Sequence, residues 1–201
     1  MQYLRALAQR IETVYQQLNL RFSDYQQQQG LSCISGCGRC CTNPDVEASP
    51  LEMLPLALNL FDQGQAEVTL DKLRAASGFH CLHYQRLSLD GARDQCGIYA
   101  HRPGICRMFG AAGVRGKDGQ ARLSVCQPIK TARADAYHQT LSALEVTPPP
   151  MIADGRQQLV NLDPLWGRQT LPINQALSWA LEKVLTAAYY DDPDNDGTQA
   201  A

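Results

Sequence analysis

The chain has 201 residues, of which 44% are hydrophobic and 19% are charged, enough for one domain with a hydrophobic core. Its formal charge of -2, from 18 Lys and Arg against 20 Asp and Glu, gives no overall attraction to nucleic acid or to an anionic membrane, so neither is expected as a partner. Within residues 1–20, charged residues break up the apolar run that a signal peptide needs. No apolar run in the sequence reaches about 18 residues, the length expected of a transmembrane helix. The sequence therefore predicts a cytoplasmic protein, in which reducing conditions favour metal-binding or catalytic cysteines over disulfides.

A first helix is predicted over residues 2–28, because apolar residues recur at spacings of three and four, and Gly30 is expected to end it. The apolar residues of that stripe are Leu4, Leu7, Ile11, Val14 and Leu18.

The segment "SPLE" at 49–52 predicts the start of a second helix. Ser49 can cap it, Pro50 suits its first position, and Glu52 completes a capping box. Leu54, Leu58 and Phe61 form its apolar face, and Pro55 is expected to bend or shorten its first turns. A short helical piece is predicted over 71–76, and residues 78–107, which lack clear periodicity, are predicted to be irregular.

A β-hairpin is predicted within residues 108–126, where Asp118-Gly119 favours the turn between antiparallel strands. Such a hairpin brings Cys106 and Cys126 toward the same end.

Two further helices are predicted in the last third of the chain. One covers 131–146, ends at "TPPP", and has its apolar stripe at Ala134, Tyr137, Leu141 and Leu144. Residues 151–172 are expected to be extended or irregular. Asn174 is expected to cap a last helix that runs to about Tyr190, with Leu177, Leu181, Val184 and Ala188 facing inward.

The predicted fold is a single domain over 1–201 that is mainly α with a small β-hairpin. It comprises an N-terminal helix (1–30), an irregular, metal-stabilised cysteine-rich core packed against helices (31–130), a C-terminal helical part (131–190) and a disordered acidic tail (191–201). Within the tail, "DPDNDG" at 192–197 fits the first six positions of an EF-hand loop, but the twelfth would fall beyond Ala201, so no calcium site is predicted.

Eight cysteines dominate the chemistry of the sequence. Thiolate is a soft ligand that selects zinc, copper(I) or iron-sulfur clusters, and Cys37 and Cys40 are spaced so that two sulfurs reach one metal across the turn at Gly38. Adjacent side chains tend to diverge, so Cys40 and Cys41 favour two metal ions or two edges of a polynuclear cluster. A thioredoxin-like dithiol at Cys37 and Cys40 is disfavoured, because no apolar strand precedes it.

Positive charge concentrates between residues 93 and 122, although the whole chain is slightly acidic. The basic residues there are Arg93, Arg102, Arg107, Arg115, Lys117 and Arg122. Arg102 and Arg107 flank Cys106 and are expected to offset the charge of metal-bound thiolates or to hold an anionic substrate. The last three equally suit a solvated surface. His80 and His83 flank Cys81 and are candidates to support the metal ligands, whereas His138 is expected on the surface.

Two segments resemble the YkgJ-type cysteine-cluster family of zinc- or iron-chelating domains. "CGRCC" at 37–41 matches its C-x-x-C-x-x-C-C pattern, although three residues separate Cys33 from Cys37. "CGIYAHRPGICRMFG" at 96–110 matches its C-x-I-Y-x-x-R-P-x-x-C-R-x-F pattern. The resemblance covers about residues 33–126 and implies metal binding. A methyl-transferring enzyme shares a similar cysteine cluster, which makes group transfer one option.

The predicted site combines all eight cysteines with residues that surround the metal or an anion. The metal ligands are Cys33, Cys37, Cys40, Cys41, Cys81, Cys96, Cys106 and Cys126, and the surrounding residues are Tyr99, Arg102 and Arg107. The predicted cofactor is an iron-sulfur cluster, expected to be 4Fe-4S, used in electron transfer or in an enzymatic step such as group transfer. The alternative is a zinc-stabilised binding module without catalysis. Whether the protein is an enzyme stays open, and the partner is expected to be an unidentified protein or small molecule.

Overall fold

The computed structural model describes residues 1–89 and 93–191. The predicted tail beyond Asp191, with the partial EF-hand match, lies outside the described residues. No helix in the described ranges is both long and apolar enough to cross a membrane.

Helices dominate the fold, and short strands pair locally. The helices are α1 (Gln2–Gln28), α2 (Pro50–Asp62), α3 (Ala66–Ala75), α4 (Gly104–Met108), α5 (Gln127–Ala132), α6 (Ala134–Ser142), α7 (Ile152–Val160), α8 (Pro164–Gly167) and α9 (Ile173–Asp191). The antiparallel strand pairs are β1 (Glu47–Ala48) with β6 (Leu171–Pro172), β2 (Tyr84–Arg86) with β3 (Asp94–Cys96), and β4 (Ala111–Arg115) with β5 (Ala121–Val125). The predicted class, mainly α with a small β component, is confirmed.

Helix α1 has the predicted bounds, and all five residues of its apolar stripe are buried. Gly30 adopts a left-handed φ of 65°. The Gly30 N–H donates to the Gln27 carbonyl (3.1 Å) and the Leu31 N–H to the Gln26 carbonyl (2.8 Å), the glycine-based end expected of a helix. The buried stripe packs α1 against α2, α4 and α7.

The capping box of α2 is confirmed. Ser49 Oγ accepts from the Glu52 N–H at 3.2 Å, and Glu52 Oε1 accepts from the Ser49 N–H at 3.1 Å. The helix runs through Pro55 to Asp62, so the expected shortening does not occur. Leu54 and Leu58 are buried as predicted. Helix α3 begins five residues before the short helical piece that the sequence indicated.

The β4–β5 hairpin confirms the turn predicted at Asp118-Gly119. The Gly119 N–H donates to the Gly116 carbonyl (2.9 Å), and Gly119 has a left-handed φ of 79°. At the other end of the hairpin, the Cys126 N–H donates to the Gly110 carbonyl (2.9 Å).

The single helix predicted over 131–146 is wrong. Arg133, with φ -134° and ψ 43°, separates α5 from α6. The proposed stripe is also wrong, because Ala134 and Leu141 are exposed whereas Thr140 is buried. Thr140 Oγ1 donates to the Ala136 carbonyl (2.7 Å), which satisfies this polar group inside the packed face.

Residues 151–172 were predicted to be extended or irregular, but they contain α7, α8 and strand β6. Gly155 lets α7 approach closely, since a Cβ there would lie 2.9 Å from Leu18 Cδ2. Asn174 lies inside α9 and does not cap it. Instead, Asn174 Oδ1 accepts from the Leu82 N–H (2.9 Å) and its Nδ2 donates to the His80 carbonyl (2.8 Å).

The main core lies where α2 packs on α9, with α1 and α3 beside them. The inward-facing residues Leu177, Leu181 and Val184 of α9 are buried as predicted, whereas Ala188 is half-buried. Trp166 and Trp179 form an edge-to-face pair with ring centroids 5.1 Å apart. A smaller core joins Tyr25 and Leu31 to the β4–β5 hairpin. Of the cysteines, Cys41 and Cys81 belong to the main core, and Cys126 packs against the smaller one.

Candidate metal centre

All eight cysteines have free thiols and lie in loops or in short elements. Cys33 and Cys37 follow α1, and Cys40 and Cys41 occupy a 3-10 turn, Arg39–Thr42. The others are Cys81 before β2, Cys96 at the end of β3, Cys106 in α4 and Cys126 directly before α5. Backbone that is not committed to long helices can bring these separated residues together.

The cysteine-rich loop 33–41 is joined to the β2–β3 hairpin by backbone hydrogen bonds. The Cys81 N–H donates to the Cys41 carbonyl, and the Asp94 N–H donates to the Gly36 carbonyl, each at 2.9 Å. This hairpin lies within residues 78–107, which were predicted to be irregular, so that prediction is wrong for this part. The hairpin holds Cys81 and Cys96 against the loop.

Gly38 lies at the contact between the loop and the hairpin. A Cβ at this position would lie 2.7 Å from the Asp94 Cβ and 2.8 Å from Tyr84 Cε2. Carbon atoms in ordinary contact are about 3.5–4.0 Å apart. Only glycine therefore fits at position 38 without displacing the hairpin.

Four cysteines form a contact group around Cys41, which we call the inner thiol group: Cys40, Cys41, Cys81 and Cys96. The Cys41 thiol lies where it can share its proton with any one of the other three sulfurs. Its hydrogen bonds lower the pKa of Cys40 to about 7 and that of Cys96 to about 6, although burial opposes both shifts. The same hydrogen bonds raise the pKa of Cys41. One S–H carries a single proton and serves one sulfur at a time, so Cys41 stays protonated while it stabilises one neighbouring thiolate.

Backbone amides support two of these sulfurs. After the hydrogen bond from Cys41 and the opposing effect of burial, the His83 N–H further lowers the pKa of Cys81. The Ile98 N–H acts in the same way on Cys96. Each amide lies two residues after its cysteine, and amide donors to sulfur stabilise the thiolate that a metal requires.

A cavity of about 590 Å³ lies beside the inner thiol group. Its wall includes an outer thiol group, defined as Cys33, Cys37 and Cys126, together with Cys40 and Cys106. Cys33 is exposed and within electrostatic range of Cys37 and Cys126. Because Cys40 both lines the cavity and contacts Cys41, it links the two groups.

Cys106 and Cys126 both line this cavity, as the predicted hairpin geometry requires. Burial raises the pKa of each thiol, and for Cys106 the nearby charges of Cys40 and Cys81 add to the effect.

Arg102 is the cation that acts on both thiol groups. Its guanidinium carbon lies 3.6 Å from the centroid of the Tyr99 ring, and its Nε donates to the Tyr99 carbonyl at 3.2 Å. Its positive charge reaches Cys33 in the outer group and Cys40 and Cys96 in the inner group. Arg102 thus lies where a cation offsets thiolate charge.

The guanidinium of Arg107 is held by backbone carbonyls. Its Nε donates to the Arg102 carbonyl and its Nη2 to the Ala100 carbonyl, each at 2.7 Å. Its guanidinium also lies 4.5 Å from the centroid of the buried Tyr15 ring. Arg107 therefore fixes the 99–102 turn against α1.

Glu52 helps to position Cys106 by binding the backbone of the preceding residue, a role that the capping motif alone does not reveal. Its carboxylate is buried, and Oε2 accepts from the Ile105 N–H at 2.8 Å while Oε1 serves the α2 cap. Burial raises the pKa of Glu52, and these N–H donors oppose the rise. The carboxylate thereby ties the start of α4, which carries Cys106, to the start of α2.

The histidine side chains lie in different surroundings. His80 is exposed and stacks on Tyr84 with centroids 5.8 Å apart, and His138 is exposed as expected. His83 is half-buried, burial lowers its pKa, and its Nε2 has no hydrogen-bond partner among the described residues.

Within residues 1–89 and 93–191, no set of three or more His, Cys, Asp or Glu side chains is placed to hold a metal ion between them. Metal ligation by each of the eight cysteines stays a prediction.

A family model described as "Putative zinc- or iron-chelating domain" and named CxxCxxCC matches residues 32–127. The match covers 96 of the 201 residues. The CxxCxxCC domain includes every cysteine of the chain, and the resemblance seen in the sequence is confirmed. No curated protein and no solved structure matches the chain.

The donor set of the CxxCxxCC domain fits the metals of its family. The side chains that converge here are thiols, and thiolates suit zinc and iron-sulfur clusters better than hard cations. No Asp or Glu is among the described residues that line the cavity. The domain has a metal-binding role, for zinc or iron.

Proposed function

We propose that the CxxCxxCC domain binds an iron-sulfur cluster, expected to be 4Fe-4S, that serves electron transfer or an enzymatic step such as group transfer. The observation that carries this proposal is the continuity of the two thiol groups. Cys41 contacts three thiols, and Cys40 connects them to the cavity that holds the outer group. A donor set that extends beyond four sulfurs favours a polynuclear centre over one tetrahedral zinc.

The surroundings of the inner thiol group support the same proposal. Backbone amides reach Cys81 and Cys96, and the charge of Arg102 reaches Cys40 and Cys96. Hydrogen bonds to sulfur and nearby positive charge raise the reduction potential of a cluster. Four thiolates hold one such cluster, so the inner thiol group would supply its ligands, and Cys106 with the outer group would form a second set of four sulfurs. When bound, the cluster would supply one-electron transfer.

A zinc-stabilised binding module without catalysis is the alternative. It is favoured by the segment around the β2–β3 hairpin, where residues 77–80 and 85–87 are exposed and contribute little to the core. A structural zinc can replace a missing hydrophobic core by linking such loops.

Anaerobic purification followed by measurement of iron, zinc and acid-labile sulfide separates the two functions. The proposal predicts a coloured protein with iron and sulfide in comparable amounts, and loss of both in Cys41→Ser and Cys96→Ser. Arg115→Gln, on the exposed end of β4, is the control for handling and should retain them. A colourless protein with stoichiometric zinc would overturn the iron-sulfur proposal and support the binding module.

A further inference from the structure

The cavity beside the thiols also has a cationic wall, formed by Arg39, Arg102 and Arg107. Its described lining contains three arginines and no carboxylate, although the chain as a whole is slightly acidic. Positive groups gathered in a concave site raise the local concentration of anions.

Two of these arginines have guanidinium nitrogens that remain available. Arg39 is exposed, and no described residue accepts a hydrogen bond from its guanidinium. Among the residues that the structure describes, Arg102 donates a hydrogen bond only to the Tyr99 carbonyl, from its Nε. By contrast, Arg5 and Arg122 are already paired with carboxylates, at 2.6 Å and 2.9 Å. Arg39 and Arg102 can therefore offer the planar pair of N–H donors that binds carboxylate or phosphate.

The rest of the cavity defines the other part of the ligand. Met108, Phe109, Val125 and Ile152 provide apolar surface, and Asn43, Ser124 and Gln127 provide uncharged hydrogen-bonding groups. The volume of about 590 Å³ lies within the usual range for small-molecule sites, about 300–1,000 Å³. A metal bound to the thiols takes up part of this space, and the remainder suits a small molecule.

We propose that this cavity binds an organic anion, a carboxylate or phosphate group on a small apolar body, next to the metal centre. Arg39 and Arg102 bind the anionic group, and the apolar side chains contact the body. The assignment rests on the proposed function in that a metal occupies the thiol wall, and it names the class of molecule that this metal meets. It applies whether that metal is an iron-sulfur cluster or zinc.

Calorimetric titration of the metal-loaded protein tests this assignment with three probes: benzoate, phenyl phosphate and the neutral benzamide. We expect at least one of the anions to bind and benzamide not to bind, and the comparison of the two anions tells whether carboxylate or phosphate is preferred. Arg39→Gln should weaken binding about tenfold or more, because it removes a charge-assisted hydrogen bond. Arg39→Lys keeps the charge but loses the planar donor pair, so its affinity for the anion should lie between those of the wild type and Arg39→Gln. Arg115→Gln, outside the cavity lining, is the matched control and should bind like the wild type.

Metal analysis of every sample keeps this test separate from that of the proposed function. Protein that retains stoichiometric zinc after anaerobic purification and binds the anion would overturn the iron-sulfur cluster and support the anion site. Fully loaded protein that binds neither anion, or binds benzamide equally well, would overturn the anion site and leave the arginines as counter-charges to the metal. Equal affinity of Arg39→Gln and Arg115→Gln would overturn it as well.

Discussion

Gly38→Ala is expected to separate the cysteine-rich loop from the β2–β3 hairpin. The added methyl group would lie 2.7 Å from the Asp94 Cβ, which is fixed to the backbone, and 2.8 Å from the Tyr84 ring. Restoring ordinary contact requires a shift of about 1 Å. That shift strains the hydrogen bonds from Cys81 and Asp94 that hold the hairpin to the loop.

The magnitude follows from the cost of overpacking, about 1–3 kcal/mol for an inserted methyl group in a well-packed site. The strain acts on the contact that brings Cys41 to Cys81 and Cys96. We therefore expect metal affinity to fall by about 5- to 150-fold. The structure of α1, α2 and α9 should change less than that of the loop and the hairpin.

Competition with a chromogenic chelator measures this loss, with Gly78→Ala as the matched control. Gly78 also lacks a left-handed φ, and a Cβ there would have its nearest contact at 4.0 Å, with His80 Nδ1. Gly78→Ala should bind metal like the wild type. Equal metal affinity of the two variants would refute the argument that close packing at Gly38 assembles the thiols.

Three further outcomes are expected. Glu52→Gln should lower the free energy of unfolding by about 1–3 kcal/mol in denaturant titrations. The amide has one acceptor oxygen for the two N–H groups that bind separate oxygens of the carboxylate. An unchanged stability would contradict this. In the reduced, metal-free protein, Cys40 and Cys96 should form thiolates as the pH rises through about 7 and about 6, and Cys41→Ala should move both titrations up toward 9.0, as followed by ultraviolet thiolate absorbance. The same midpoints in Cys41→Ala would exclude Cys41 as the donor. Metal removal by chelation under reducing conditions should speed amide hydrogen exchange in β2 and β3 far more than in α1, and equal protection with and without metal would argue against metal-dependent order there.

Local signals in the sequence were sufficient for α1 and for the start of α2. The stripe of α1 and the reciprocal bonds of Ser49 and Glu52 depend on residues within one or two turns. The β4–β5 turn was equally local, because Gly119 supplies the left-handed conformation itself. Patterns of this kind carry their own physical cause and are readable in one sequence.

The errors occurred where distant contacts decide the structure. Gly155 weakens a helix in isolation, yet it lets α7 approach Leu18 of α1. Strands β2 and β3 lack apolar alternation and form through pairing such as Tyr84 with Cys96. In α6 the buried residue is Thr140, whose hydroxyl is satisfied by a carbonyl within its own helix, so hydrophobicity points to the wrong face.

The candidate site shows the same division. Spacing and residue type selected the cysteines and Arg102 as candidates, because the ligand preferences of a metal depend on the residue type itself, and their ligation of a metal stays a prediction. The sequence could not show that Cys41 is the thiol that contacts three others, nor that Arg107 is held by two carbonyls. The second carboxylate oxygen of Glu52 was also hidden, since its partner Ile105 is distant in the chain.

Helix α1 precedes the segment that matches the CxxCxxCC family, yet it lines the cavity with Ser23 and Gln26 and supports the candidate site from Tyr15. The Tyr15 hydroxyl donates to the Glu52 carbonyl, and its ring lies beneath Arg107. The cysteine-rich segment of this protein thus depends on a helix that lies outside the residues matched by the family model. Cutting the chain at residue 32 would remove this support while keeping every cysteine. The shortest fragment that contains the cysteines is therefore not the shortest fragment that positions them.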